Sequence, residues 1–109
     1  MKKEYRLLSN QDFSDLVKAG KRVKVDEFYI YYLKNNINHS RFGISVSTKL
    51  GNAVIRNKTK RQVRSMVDDF IKINQKPLDV VIVVKEKYFL KDYQQNKNTL
   101  TKLLIEIEK

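Results

Sequence analysis

The feature that most constrains the fold is an unbroken run of β-branched residues late in the chain, Val80-Val81-Ile82-Val83-Val84. β-branched side chains favour strands, and a run without polar alternation is typical of a strand buried on both faces. A chain of 109 residues has room for one domain with one modest core. The run therefore predicts a small sheet with helices packed against it.

Periodicities along the rest of the chain predict six main elements in a single domain over residues 1–109. Ser9 or Asn10 can cap a first helix that Gly20 ends, because short polar residues favour helix starts and glycine favours helix ends. The predicted elements are a helix up to residue 19, strands at 23–33 and 41–47, a long helix at about 54–74, a strand at 79–84 and a closing helix from residue 92. The order α-β-β-α-β-α indicates an α+β fold, a single-domain α/β sandwich with a small central sheet.

The first two predicted strands are expected to form a hairpin. The segment between them, residues 35–40, is rich in the turn formers Asn and Ser. Alternation places large side chains on one face of this hairpin: Phe28, Ile30, Tyr32, Phe42, Ile44 and Val46. Tyr29 and Tyr31 lie on the other face with the small residues Gly43, Ser45 and Ser47, and two faces cannot both be the main core.

The positive charge is concentrated in the middle of the chain. The net charge is +11, and residues 28–67 hold eight cationic side chains and no carboxylate. A small domain this basic is expected to bind a polyanion. The absence of Cys excludes disulfides, thiolate metal sites and cysteine nucleophiles. Without a long apolar run or a signal-peptide pattern, we expect a cytoplasmic protein that does not enter membranes.

The long helix is expected to segregate its cations from its apolar residues. At about 100° per residue, one arc of about 140° holds Arg56, Asn57, Lys60, Arg61 and Arg64. The adjoining arc would face the core and holds Val63, Met66, Val67 and Phe70. Like charges on adjacent turns cost about 0.2–0.5 kcal/mol per pair, and no carboxylate offsets them here. This pattern favours phosphate binding, with a merely solvated cationic face as the alternative.

The segment from Gly51 to Arg64 resembles a family signature. It reads Gly-Asn-Ala-Val-Ile-Arg-Asn-Lys-Thr-Lys-Arg-Gln-Val-Arg, and the motif of the bacterial ribonuclease P protein component is Gly-Asn-Ala-Val-x-Arg-Asn-Arg-x-Lys-Arg-x-x-Arg. Lys58 replaces the second Arg of the Arg-Asn-Arg triplet, and Thr48 stands where the family commonly has Lys. An early Asp-Phe, Gly20, a Phe-x-x-Tyr strand and Gly-x-Ser-Val-Ser follow the family order.

The resemblance implies the role of a non-catalytic subunit. Ribonuclease P endonucleolytically removes the 5′ leader from precursor tRNA, and in bacteria the catalyst is its RNA subunit, with Mg²⁺ held mainly by RNA. The implied partners are the catalytic RNA subunit and precursor tRNA, with one protein monomer per RNA. The resemblance also implies a left-handed β-α-β crossover, similar to the second domain of a small-subunit ribosomal protein. Carried over by position, the residues expected to bind the RNA subunit are Lys49, Asn52, Arg56, Asn57, Lys58, Lys60, Arg61 and Arg64.

The resemblance further implies a cleft for the leader between the first helix and the sheet. Its lining residues would be Phe13, Val17, Tyr29 and Tyr31. Val17 stands where the family often has an aromatic residue, so it offers apolar contact without stacking. Tyrosine rings on an open sheet face can stack on unpaired bases. The alternative is that Phe13, Tyr29 and Tyr31 only pack under the first helix.

Other functions fit the sequence less well. An independent metal-dependent nuclease needs converging carboxylates, but Asp68 and Asp69 point about 100° apart on a helix. His39, the only histidine, lies in a turn-rich segment and is a weak catalytic candidate. A DNA-binding regulator lacks a helix-turn-helix pairing before the basic helix. The alternative that remains is a ribosomal or other structural RNA-binding protein with the same basic helix and no substrate cleft.

Overall fold

The computed structural model describes residues 1–7, 9–73 and 76–109. Its three helices are α1 (Asn10–Ala19), α2 (Ala53–Ile71) and α3 (Tyr93–Ile107). Its four strands are β1 (Lys21–Lys24), β2 (Phe28–Lys34), β3 (Arg41–Val46) and β4 (Leu78–Val84). Three short 3₁₀ turns lie at Lys3–Tyr5, Thr48–Leu50 and Glu86–Leu90. This mixed α+β architecture confirms the predicted fold class.

The ends of the helices follow the capping residues in the sequence. The Ser9 hydroxyl accepts a hydrogen bond from the backbone N–H of Asp12, and Gly20 closes α1. Asp92 forms a capping box with Gln95 at the start of α3, which satisfies two backbone donors that the helix leaves open. The long helix was predicted to reach Asn74, which lies outside the described residues, but α2 already ends at Ile71.

The order of the strands corrects the predicted hairpin. The sheet runs β1-β2-β4-β3, so β2 and β3 are not neighbours and β4 lies between them. β4 pairs antiparallel with β2 and parallel with β3, and α2 makes the connection between the two parallel strands. A strand that is apolar on both faces is most stable in the interior of a sheet. The predicted hairpin was therefore wrong. The left hand of the β3-α2-β4 crossover stays an implication of the family resemblance.

The region predicted as one strand over residues 23–33 is two strands. β1 and β2 pair antiparallel and are joined by a turn that contains Asp26 and Glu27. The Glu27 side chain is buried, and one of its carboxylate oxygens lies 3.0 Å from Lys91 Nζ. The observed order is therefore α-β-β-β-α-β-α, with one strand more than predicted.

The two faces of the sheet are covered unequally. The main core lies between one face and the pair of helices α2 and α3; it includes Phe28, Ile30, Phe42, Val80, Ile82, Val63, Val67, Leu100 and Leu104. The second face carries a smaller cluster of Leu7, Leu16 and Val81, with Phe13, Tyr31 and Val83 partly buried against it. Because α1 is only ten residues long, part of the second face stays open.

Candidate RNA-binding surfaces

The outer side of α2 and the turn before it form the first candidate surface, here called the cation face. It comprises the eight residues predicted to bind RNA: Lys49, Asn52, Arg56, Asn57, Lys58, Lys60, Arg61 and Arg64. On the adjoining side of the helix, Val63, Met66, Val67 and Phe70 are at most 3% exposed. The structure thus confirms that α2 has a core side. It also brings the predicted cations together on one helix and its leading turn.

The cations of this face have no acidic partners among the described residues. In the part of the chain that the structure describes, the ion pairs involve none of Lys49, Arg56, Lys58, Lys60, Arg61 and Arg64. Arg56 Nε donates to the carbonyl oxygen of Gly51 at 3.3 Å, which ties this side chain to the turn before the helix. The N-terminus of the helix adds its own partial positive charge. This surface is therefore well suited to hold phosphate groups.

Asn52 has a structural role in addition to its predicted one. Its side-chain oxygen accepts a hydrogen bond from the backbone N–H of Ile55 at 3.0 Å and so caps α2. The amide nitrogen makes no such cap and can donate two hydrogen bonds to a ligand. The sequence pattern of an Asn one residue before a helix was a sufficient signal for this cap.

The carboxylates of α2 lie at its other end and are paired. Asp68 lies 3.0 Å from the amino group of Met1, and Asp69 lies 2.6 Å from Lys97 Nζ on α3. The hydrogen bond from Lys97 lowers the pKa of Asp69, and the same bond raises the pKa of Lys97. These charges neutralise one another, so the uncompensated charge of α2 lies toward its N-terminal part.

The second candidate surface is the open part of the second sheet face, here called the aromatic cleft. Strand register places Tyr31, Val81 and Gly43 in one row across the sheet, and Tyr29, Val83 and Ser45 in the next row. The rings of Tyr29 and Tyr31 stack with centroids 5.7 Å apart and planes 10° apart. The small residues on β3 leave space beside these rings.

Phe13 of α1 closes one side of this cleft over Gly43. A Cβ atom built at Gly43 would lie 2.6 Å from Phe13 Cε2, so the ring occupies the space a side chain would need. Phe13 and Tyr31 both pack against the Leu16 cluster, as the packing alternative expected, whereas Tyr29 is not part of that cluster. Val17 lies on the same helix and is 46% exposed. The structure therefore leaves Tyr29 as the ring least committed to packing.

Two lysines lie in the aromatic cleft that were not among its predicted residues. Lys24 Nζ lies 5.8 Å and Lys85 Nζ 5.5 Å from the centre of the Tyr29 ring. Lys85 Nζ also donates to the carbonyl oxygen of Val25 at 3.1 Å. Lys24 of β1 pairs with Tyr29 of β2 in the strand register. A single strand over residues 23–33 could not bring these two side chains side by side. The cleft thus offers cations beside a stacking ring.

An ion pair between Arg41 and Asp79 lies in the next row across the sheet, beside the row that holds Tyr31. Arg41 Nε and Nη2 donate to the two carboxylate oxygens of Asp79 at 2.9 and 2.6 Å, and Asn35 donates to the same carboxylate at 2.9 Å. The hydrogen bond to Asp79 raises the pKa of Arg41. Arg41 is one of the eight cations of the central segment, and this pair neutralises it.

His39 makes structural contacts. Its ring packs edge-on against Tyr5 with centroids 5.2 Å apart, and its Nδ1 lies 2.9 Å from the carbonyl oxygen of Ser40. Within residues 1–7, 9–73 and 76–109, no three His, Cys, Asp or Glu side chains come together as metal ligands. In the same residues, no helix is both long and apolar enough to cross a membrane.

Comparisons with known proteins agree with this architecture. The family model described as Ribonuclease P matches residues 1–108. The chain is 39% identical over 106 residues to the ribonuclease P protein component of Mesoplasma florum, covering 96% of both chains. It is 40% identical over 108 residues to that of Streptococcus agalactiae, covering 95% of this chain and 94% of the relative.

Solved structures give the same result. The RNase P protein of Staphylococcus aureus superposes with a TM-score of 0.85 at 36% identity, covering 96% of this chain and 95% of that one. The RNase P protein of Thermotoga maritima superposes with a TM-score of 0.83 at 32% identity, covering 91% and 94%. The similarity thus extends over nearly the whole chain in both sequence and fold.

Proposed function

The chain belongs to the ribonuclease P protein family, and we propose that its cation face binds the catalytic RNA subunit while its aromatic cleft holds the 5′ leader of precursor tRNA. Ribonuclease P is an endoribonuclease that processes tRNA, and this chain is its protein subunit. The RNA carries the catalysis with Mg²⁺ in this proposal. One observation carries the assignment of surfaces: α2 carries cations that form no ion pair with any described residue, while a separate sheet face holds stacked tyrosines beside lysines.

The chemistry of the cation face supports binding to a folded RNA. Arg56, Arg61 and Arg64 carry planar guanidinium groups that can contact phosphate oxygens through two hydrogen bonds at once. Lys58 takes the place of a family Arg and contributes a compact point charge. Each phosphate that such a side chain neutralises releases counterions, so binding is expected to weaken as salt rises.

The aromatic cleft supports binding to a single strand. An unpaired base can stack on the ring of Tyr29, while Lys24 and Lys85 lie close enough to that ring to meet the neighbouring phosphates. Such stacking is worth about 1–3 kcal/mol per base and tolerates many sequences. Mature tRNA has no leader, so the cleft would favour precursor over product.

The protein would act where two polyanions meet. Its net charge of +11 lowers the repulsion between precursor tRNA and the RNA subunit, which reduces the Mg²⁺ needed to hold them together. We place one protein monomer on each RNA subunit, in the cytoplasm. A purely structural RNA-binding protein is disfavoured because the family is that of a tRNA-processing enzyme.

A cleavage assay at low Mg²⁺ tests this function. Precursor tRNA is incubated with the RNA subunit alone, the protein alone and the mixture. Cleavage at the mature 5′ end by the mixture only is the expected result. Cleavage by the protein alone would contradict a catalytic RNA, and an identical Mg²⁺ requirement with and without protein would contradict the electrostatic role.

Variants separate the two surfaces. Arg61→Ala should weaken binding to the RNA subunit and reduce the slope of log affinity against log salt by up to about 0.9. Lys102→Ala is the matched control, because Lys102 is an exposed cation on α3. Tyr29→Ala should lower affinity for precursor tRNA and leave affinity for mature tRNA unchanged. Equal losses for precursor and mature tRNA would contradict the assignment of the cleft to the leader.

A further inference from the structure

Two grooves meet at Phe89, next to the two surfaces described above. One groove, of about 660 Å³, lies between the Thr48–Leu50 and Glu86–Leu90 turns and is lined by Leu50, Phe89 and Leu90. The other, of about 420 Å³, lies between the first turns of α2 and the start of α3 and is lined by Ile55 and Phe89. Both volumes fall in the range of ordinary ligand sites. Ile55, Phe89 and Leu90 together are here called the apolar shelf.

The side chains of the apolar shelf are exposed, although the turn that carries Phe89 and Leu90 is held in place by hydrogen bonds. Leu90 is 79% exposed, and Ile55 and Phe89 are 42% and 40% exposed. The Glu86–Leu90 turn is held by the buried Tyr88, whose hydroxyl donates to Gln62 Oε1 at 2.8 Å. Asn96 Nδ2 donates to the carbonyl oxygen of Tyr88 at 2.9 Å. A firmly held turn that presents adjacent apolar side chains to solvent is typical of an interaction site.

The charges around the apolar shelf favour a polyanion over a protein surface. The two grooves are lined by four cations and two carboxylates: Lys49, Lys58, Lys85, Lys91, Glu86 and Asp92. The Asp92 carboxylate is occupied as a helix cap, since it accepts from the backbone N–H of Gln95 at 2.8 Å, and Lys91 is paired with Glu27 at 3.0 Å. Lys49 and Lys58 have no such partners in the described part of the chain. Both lysines also belong to the cation face, so the two surfaces are continuous.

We propose that the apolar shelf binds unpaired bases of the catalytic RNA subunit, with the ring of Phe89 as the stacking platform. The proposal rests on the proposed function and adds a base-stacking site to its phosphate contacts. Every nucleobase has a face that can stack on an aromatic ring, and the flanking lysines can meet the phosphates on either side. The T-shaped contact of Phe89 with Tyr88, centroids 5.5 Å apart, holds the platform in place, and the Phe89 side chain stays partly exposed.

The test measures affinity for the RNA subunit alone, without tRNA, over a range of salt. Phe89→Ala should weaken binding about 5- to 140-fold, as expected for the loss of one stacked base. The loss should be equal at all salt concentrations, because no cation is removed. Leu90→Ala should cause a smaller loss, and its high exposure makes misfolding a minor concern. Ile73→Ala is the matched control, since Ile73 is 75% exposed just past the far end of α2.

A further variant distinguishes loss of the stacking ring from misfolding of the protein. The chain has no Trp, so Phe89→Trp introduces one fluorophore at the platform. This variant should keep its affinity, and its fluorescence should change when the RNA subunit saturates it. Unchanged affinity in Phe89→Ala and Leu90→Ala, or unchanged Trp fluorescence at saturation, would overturn the proposal.

Two further outcomes would also overturn it. A loss seen only with precursor tRNA would assign the apolar shelf to the leader, and self-association abolished by Leu90→Ala would assign it to a second copy of the chain. Failure of the wild-type protein to bind the RNA subunit would instead count against the proposed function, so the two failures are distinguishable.

Discussion

The contact between Phe13 and Gly43 gives the sharpest prediction, through the variant Gly43→Ala. The added Cβ would lie 2.6 Å from Phe13 Cε2 and closer still to Cζ. Carbon atoms pack at about 3.5–4.0 Å, so the ring must retreat by about 1 Å. Overpacking of this kind costs about 1–3 kcal/mol. Because Phe13 also lines the aromatic cleft, the shift should lower affinity for the leader as well as stability.

A double-mutant cycle measures this coupling. The free energy of unfolding is obtained by urea denaturation for the wild type, Gly43→Ala, Phe13→Ala and the double variant. Without the ring, the extra methyl group has room, so Gly43→Ala should then be neutral or stabilising by about 0.4–1 kcal/mol. We expect a coupling energy of about 1–4 kcal/mol between the two positions, the difference between these two effects. Additive effects would refute the reasoning, because they would mean that the ring does not rest on Gly43.

Leader binding provides a second readout of the same variants. Fluorescence anisotropy with precursor and mature tRNA separates the leader contribution from general RNA binding. Gly43→Ala should reduce the preference for precursor, and Phe13→Ala should reduce it further, since a stacked base is worth about 1–3 kcal/mol. If Gly43→Ala lost stability but kept the full preference for precursor, Phe13 would be a packing residue only.

Three other predictions concern single interactions. Asn52→Ala should destabilise the protein by about 0.5–2 kcal/mol through loss of the α2 cap, and Asn52→Ser should restore most of it in urea denaturation. Lys97 lowers the pKa of Asp69 below its ordinary 3.8, so this pair stabilises the fold above that pH and the stabilisation is lost as the pH falls. The Tm of Asp69→Asn should therefore lie below that of the wild type at neutral pH and converge with it in acid; a constant difference would contradict the pairing. Burial raises the pKa of Tyr88 from 10.0 to about 12. The neutral Tyr88 side chain therefore contributes up to about 2–3 kcal/mol to the free energy of unfolding below pH 10, and this contribution is lost as the pH rises to about 12. Tyr88→Phe should remove this alkaline step in an unfolding curve followed at several pH values, and an unchanged step would assign it to another group.

Local sequence signals predicted the helices well. Ser9, Gly20 and Asp92 mark helix ends through hydrogen bonds to residues at most four positions away, so the information lies within one segment. The core side of α2 also followed from periodicity alone, since Val63, Met66, Val67 and Phe70 are all buried. The grouping of its cations was predictable for the same reason, because no carboxylate lies among them in the sequence.

The sheet was harder to predict because its pairing is not local. The turn-rich segment 35–40 suggested a hairpin, yet β4, which lies more than 30 residues later, separates β2 from β3. An interior position lets β4 bury both of its apolar faces and pair on both edges, and this gain outweighs the local preference for a hairpin. The break between β1 and β2 was not predicted, although the alternation changes phase there: Val23 and Val25 pack on the same core as Phe28 and Ile30.

The sequence by itself determined the fold class, the family and the cation face, since each of these depends on residue types at short, regular spacing. Only the tertiary structure decided which groups from distant segments meet: Lys24 and Lys85 beside Tyr29, Phe13 over Gly43, and Phe89 between two grooves. Such contacts depend on strand order and on the packing of turns, which residue periodicity along one segment does not encode.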